Sequence, residues 1–250
     1  MISIILTIAV CCVIGLFIGW SGIAGFLLPI FFTGYLKLNI NAALTMSFWC
    51  FLISGIIGTY NYHKRQIFTI KEVLPLACGS LLGSVAGVYF NGFLEPDTAT
   101  IILYIVVLVS GIIIFLKKDK ESEGTIDLKT KAFLLVVIGT ATSAICSFSG
   151  AGGPIIVMPL LVALGVGTRS AVGIALFDSI FIAVPAIAGY MSNISVKDYW
   201  VLFIICGASH AVGIIIGSHS AEKIPQKFLK KAIAVFSIGI SIYKFAMVLL

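Results

Sequence analysis

The chain has 250 residues, of which 60% are hydrophobic and only 10% are charged, with a formal net charge of +6 and a mean hydropathy of +1.17. A soluble domain carries about 25% charge and cannot hide this much apolar surface, so a soluble fold is excluded. Unpaired peptide groups are too costly in lipid, and the apolar runs are continuous rather than alternating. The expected fold class is therefore an all-α polytopic membrane protein.

A bilayer crossing takes about 20 apolar residues, and that length marks out eight segments in chain order. The first, 2–36, lacks a basic n-region and an A-x-A cleavage site, and is expected to be kept as a membrane segment rather than removed. It is too long for one crossing and is interrupted by Trp20-Ser21-Gly22-Ile23-Ala24-Gly25, ahead of Pro29. Segments at 42–60, 73–92 and 99–116 follow, and then a hydrophilic stretch. A second long segment, 132–166, is interrupted by Phe148-Ser149-Gly150-Ala151-Gly152-Gly153-Pro154, ahead of Pro159. Segments at 171–190, 199–218 and 232–250 complete the chain.

One long segment followed by three ordinary ones occurs twice, at an offset near 128 residues. The organisation is thus a first membrane repeat over 1–116, a cytoplasmic linker over 117–131 and a second membrane repeat over 132–250. The ladder Gly79, Gly83, Gly87 matches Ser209, Gly213, Gly217, a spacing that lets helices approach closely.

Cations sort to cytoplasmic loops. Lys64, Arg65 and Lys71 mark one inside loop, Lys117, Lys118, Lys120, Lys129 and Lys131 the linker, and Lys223, Lys227, Lys230 and Lys231 a third. The 93–98 loop holds Glu95 and Asp97 without a cation and is expected outside. Each long segment then starts and ends on one side as a bent hairpin, either re-entrant or crossing twice. This assignment leaves only Lys37, Lys197 and Lys244 outside, with both termini outside and the second repeat inverted. Inverted repeats characterise secondary transporters, whose substrate site lies near the midplane. The net positive charge is a topology signal, and nucleic acid is not an expected partner.

The two glycine patches are the sharpest candidate site. A break inside a membrane segment frees backbone groups that only protein or a wet cavity can satisfy. A helix restarting after Gly25 or Gly153 aims its N-terminal N–H groups into the break, an arrangement suited to a small anion. The predicted substrate-binding residues are Ser21, Gly22, Gly25, Ser149, Gly150, Gly152 and Gly153, with Arg169 at the inner mouth of the second hairpin.

Asp178 lies mid-segment, where an ionisable residue costs at least about 2.5 kcal/mol and points to function. Its counterpart in the first half falls close to Trp49, so the two half-sites are chemically unequal. His210 is also mid-segment, and histidine can relay protons near neutral pH. Asp178 and His210 are therefore the candidates for proton coupling.

The S-G-x-x-G break near the start of each half, the charged central loop and the length of 250 residues resemble the TauE/SafE family of sulfite and organosulfonate exporters, over essentially the whole chain. The second patch, Ser149 to Gly153 with Pro159, fits the family pattern, whereas in the first Ala24 stands where a glycine is expected. The resemblance implies secondary transport of small sulfur-containing or carboxylated anions across the plasma membrane, export being the implied direction. The expected surroundings are the lipid bilayer and a small anionic substrate, and a homo-oligomer is compatible with the sequence.

No nucleophile–base pair, phosphate loop or metal cluster is present, so neither an enzyme nor a cofactor is expected. The six cysteines lie in apolar segments without metal-ligand spacing and read as packing residues. The rival reading is a transmembrane thiol–disulfide relay using those cysteines, although Cys11-Cys12 is not a C-x-x-C motif.

Overall fold

The computed structural model describes residues 2–22, 24–93, 132–150, 152 and 154–225, with single positions between 95 and 115 and between 231 and 242. The segments expected at 99–116 and 232–250 and the linker 117–131 lie outside these described stretches. Among the described residues all regular structure is helical. The elements are α1 (Ile2–Ser21), a 3-10 turn (Ala24–Phe26), α2 (Leu27–Gly34), α3 (Ile40–Lys64), α4 (Ile70–Asn91), α5 (Ala132–Ser149), α6 (Pro154–Ala163), α7 (Thr168–Met191), α8 (Val196–Ser220) and a closing 3-10 turn (Ala221–Lys223). Six of these stretches, those of α1, α3, α4, α5, α7 and α8, are long and apolar enough to cross a bilayer. The chain is a polytopic helical membrane protein. The two long segments of the sequence each resolve into one such helix and a short helix after the break.

Local chemistry sets several of these boundaries. Asn39 caps α3 by accepting a hydrogen bond from the Ala42 N–H at 2.8 Å. At the other end of α3, His63 and Lys64 complement the helix dipole. Large apolar residues on outward faces, Leu82 of α4 and Ile204 of α8 among them, are exposed as lipid-facing side chains are.

The core forms where α3 and α7 cross antiparallel. Phe48 stacks on Tyr190 with ring centroids 6.0 Å apart. Ser179 Oγ donates to the Phe51 carbonyl at 3.4 Å, and further along Gly173 lies against Tyr62 and Phe68. Two close helix pairs flank this crossing. Gly79, Gly83 and Gly87 of α4 face the carbonyls of Val136, Thr140 and Ala144 of α5, and Gly213 and Gly217 of α8 face those of Cys12 and Leu16 of α1. No side chain larger than a hydrogen fits at these contacts, which is why the small-residue ladders read from the sequence are needed. The opening helix of each half therefore packs on the last described long helix of the other half.

One end of the bundle is basic. Arg65 pairs with Glu222 at 3.2 Å and donates to the His219 carbonyl. Arg169 donates to the Glu222 carbonyl at 3.4 Å, and Trp20 Nε1 donates to Ser220 Oγ at 2.7 Å. At the opposite end Asn91 Nδ2 donates to the Phe148 carbonyl at 2.7 Å.

Candidate functional site: the paired helix breaks

Each long segment breaks at a glycine with a left-handed backbone, Gly22 at φ +70° and Gly150 at φ +72°. That conformation costs an L-residue with a side chain about 1–2 kcal/mol. Both N–H groups close the preceding helix, on Ile18 O at 2.7 Å and on Cys146 O at 2.8 Å. Beyond this point the two breaks differ. Gly152 takes a second positive φ, +84°, before α6 starts at Pro154, whereas Ala24 enters a 3-10 turn directly. Ala24 is thus tolerated where the second patch has a glycine, because its backbone stays in the region open to any residue. Proline at the first position of α6 sacrifices no hydrogen bond, since the first-turn N–H groups have no partner within the helix.

The two breaks meet on one aromatic ring. A Cβ on Gly25 would stand 2.5 Å from Phe51 Cε1, and one on Gly152 would stand 2.8 Å from Phe51 Cζ. From this level α2 runs toward the start of α3 and α6 toward the start of α7. Because α3 and α7 are antiparallel, the N-termini of α2 and α6 converge on Phe51 from opposite directions. Beside the ring is a cavity of about 10 Å³, lined by Gly22, Gly25, Phe51, Ser54, Gly152, Pro154 and Ser179 among others. That is room for one water at most.

Of the residues expected at the site, Gly22, Gly25 and Gly152 line this cavity. Gly150 faces Leu44 and Pro29 instead. Ser21 and Ser149 are buried and donate to the carbonyls one turn back, Phe17 O at 2.8 Å and Ile145 O at 2.7 Å. Their hydroxyl protons are therefore turned to their own helices. Gly153 lies outside the described residues. Arg169 is exposed at the basic end, one turn before Val172, the residue that Gly22 faces.

His210 is fully buried and uses both ring nitrogens. Nδ1 stands 3.1 Å from the Cys11 carbonyl, which can only accept, so Nδ1 carries the hydrogen; Nε2 then accepts from Ser54 Oγ at 2.6 Å. Asp178 is equally buried, and among the described residues neither carboxyl oxygen makes a well-formed hydrogen bond, the Ser80 hydroxyl being the one side-chain partner within reach. It precedes Ser179, which lines the cavity and donates to Leu176 O at 2.7 Å.

Sequence reasoning did not single out Phe51, Ser54 or Ser179. The repeat offset carries a signal for two of them, since Phe51 and Ser179 stand 128 residues apart.

All six cysteines are free thiols, and those of Cys11 and Cys206 face one another across the α1–α8 contact. Among the described residues no group of three or more His, Cys, Asp or Glu is arranged to hold a metal ion.

Comparison with known proteins gives concordant matches. The sequence fits the family described as Sulfite exporter TauE/SafE over residues 3–244. It is 25% identical over 223 residues to a "Probable membrane transporter protein" of Haemophilus influenzae, covering 84% of this chain and 82% of that one. It is 26% identical over 237 residues to the "Probable membrane transporter protein YdhB" of Bacillus subtilis, covering 91% and 94% respectively. No solved structure matches.

Proposed function

The chain belongs to the sulfite exporter TauE/SafE family, and from that premise we propose that it is a secondary transporter of small sulfur-containing or carboxylated anions, sulfite and sulfonates foremost. Transport is across the plasma membrane, in the direction of export. The observation that carries this reading is the convergence of the α2 and α6 N-termini on the cavity beside Phe51. Two helix N-termini facing one point supply partial positive charge from both directions. An anion seated there needs no basic side chain at the bilayer midplane.

The basic end, with Lys64, Arg65, Arg169 and Lys223, faces the cytoplasm in this proposal, and both chain termini face outward. Arg169 then stands at the inner mouth, where it attracts anions before they reach the breaks. The two halves are inverted copies, a relation supported by the reciprocal packing of α1 on α8 and α5 on α4. Because of that exchange, the bodies that rock during alternating access are the α1–α8 and α4–α5 pairs about the α3–α7 crossing, and not one sequence repeat against the other. The movement is coupled to a cation carried at Asp178. The sequence expectation for that cation is a proton, with His210 as relay.

The direct test is flux in proteoliposomes with sulfite, thiosulfate, methanesulfonate and acetate, each alone on one side. Transport of at least one sulfur oxyanion, inhibited by the others, is the expected result; uptake no faster than protein-free vesicles for all four overturns the proposal. The facing thiols of Cys11 and Cys206 support a second reading, the thiol–disulfide relay. Replacing all six cysteines with alanine decides between them, because anion flux persists under the first reading and activity is lost under the second.

A further inference from the structure

The two seams on either side of the α3–α7 crossing are built alike but closed differently. In the first, α8 brings His210 between α1 and α3, and the ring is held by Ser54 Oγ and the Cys11 carbonyl. In the second, α4 brings Ser80 between α5 and α7. Gly83 and Gly87 of α4 occupy the places that Gly213 and Gly217 hold in α8, so Ser80 is the positional counterpart of His210. Across the seam from Ser80 is Asp178, which stands where the first half has Cys50 at the 128-residue offset. The histidine seam is complete in hydrogen bonds. In the serine seam both oxygens of Asp178 and the hydroxyl of Ser80 are buried, none makes a well-formed hydrogen bond among the described residues, and the one side-chain partner within reach of the carboxyl is Ser80 itself.

The surroundings of this pair are oxygen-rich and uncharged. One turn along α4, Ser84 Oγ donates to the Ile182 carbonyl of α7 at 2.7 Å and accepts from Ser147 Oγ of α5 at 2.8 Å. Gly139 of α5 presses on Ser80, where a Cβ would stand 2.9 Å from Oγ. Cys146 of α5 is within electrostatic reach of Asp178. Among the described residues no basic side chain pairs with Asp178, the one ion pair being Arg65–Glu222.

An ionised carboxylate without a partner is prohibitively costly in such an interior. Protonation removes the charge, but it adds an O–H donor for which, among the described residues, the Ser80 hydroxyl is the one side-chain acceptor within reach, and the second carboxyl oxygen is left without a partner. Among the described residues neither protonation state satisfies all three oxygens. A small hard cation bridging the carboxylate and the Ser80 hydroxyl satisfies all three oxygens at once, since such ions take oxygen ligands. One carboxylate balances one positive charge, which selects a monovalent ion. The tight α4–α5 contact selects a small one.

We propose that Asp178 and Ser80 form a sodium site between α4, α5 and α7. As the coupling ion of the transporter, sodium rests on the function proposed above; its binding does not. The test is thermal unfolding of the purified full chain in NaCl, KCl or choline chloride at constant pH and ionic strength, with no anion substrate. Saturable stabilisation by sodium alone is expected, on the order of 5 °C at a hundred-fold excess over the dissociation constant. The shift is lost in Asp178→Asn and weakened in Ser80→Ala. Equal melting of the wild type in all three salts overturns the site, as does a sodium shift that survives in Asp178→Asn. In proteoliposomes, anion flux that a pH gradient drives without sodium, and that a sodium gradient leaves unchanged, overturns the coupling role in favour of the proton. If sodium stabilises the chain but none of the four anions moves, the proposed function fails and the site stands. If anions move and sodium does nothing, the site fails alone.

Discussion

Tyr62 and Tyr190 make the same bond in opposite halves of the chain. The Tyr62 hydroxyl donates to the Gly19 carbonyl at 3.0 Å and the Tyr190 hydroxyl to the Ser147 carbonyl at 2.6 Å, each reaching back 43 residues. Both carbonyls lie in the last turn before a break, where helix carbonyls in general run out of intrahelical donors. Each tyrosine therefore ties the end of a broken helix to the central crossing. Tyr62→Phe and Tyr190→Phe should each destabilise the protein by about 1–3 kcal/mol, the cost of a buried acceptor left unmade. Their effects should add in the double variant, since the sites share no partner. Denaturation in detergent measures this, and an effect at only one of the two positions counts against their equivalence.

The backbone at the breaks makes a second prediction. Gly22→Ala and Gly150→Ala force a side chain into a left-handed conformation and should cost at least about 1–2 kcal/mol each. Gly150→Ala should be the worse of the two, because its Cβ runs into Leu44. Gly167→Ala is the internal control, with a negative φ and nothing within 4 Å of the added carbon. A Gly167→Ala loss equal to the others would point to glycine content rather than backbone geometry.

Phe51 occupies the point on which both breaks converge, so its size should limit what the cavity admits. Phe51→Ala should shift the flux preference toward larger sulfonates, raising benzenesulfonate transport relative to sulfite by about tenfold if one ring-sized contact is relieved, equivalent to about 1.4 kcal/mol. Phe51→Leu should fall between. An unchanged ratio in a well-folded variant separates the ring from selectivity.

Ser54→Ala removes the partner of His210 Nε2 and leaves a buried acceptor unpaired. A loss of about 1–3 kcal/mol in stability is expected. Loss of flux at wild-type stability would instead assign His210 to transport, the role its mid-segment position predicts.

Orientation has its own test. In a chain whose six cysteines are replaced, Lys223→Cys should react with an impermeant thiol reagent only from the cytoplasmic side. Reaction from outside reverses the proposed topology.

The parts of this molecule legible in the sequence are those governed by local rules. Gly22 and Gly150 announced the breaks because few other residues take their φ, and Asp178 stood out because a lone carboxylate in an apolar run is costly wherever it sits. The glycine ladders were equally plain, although not their partners. What the sequence concealed depends on register between distant helices. That Phe51 meets both Gly25 and Gly152, or that Ser54 meets His210 at a separation of 156 residues, follows from how α3 lies against the breaks and α8. Ser21 and Ser149 illustrate the same limit: the bond each hydroxyl donates to the carbonyl one turn back cannot be read from the serine's place at a break.

The packing of α1 against α8 also bears on how the chain is made. Trp20 and Ser220, joined by a hydrogen bond, are 200 residues apart. At a synthesis rate of about 5–20 residues per second, α1 waits on the order of 10 to 40 s for its partner. During that wait its glycines face lipid or the insertion machinery. α1, made before the other helices described, is thus among the last of them to be packed, and a nascent chain stalled before α8 emerges leaves it open to capture by the wrong neighbour or to quality-control proteolysis.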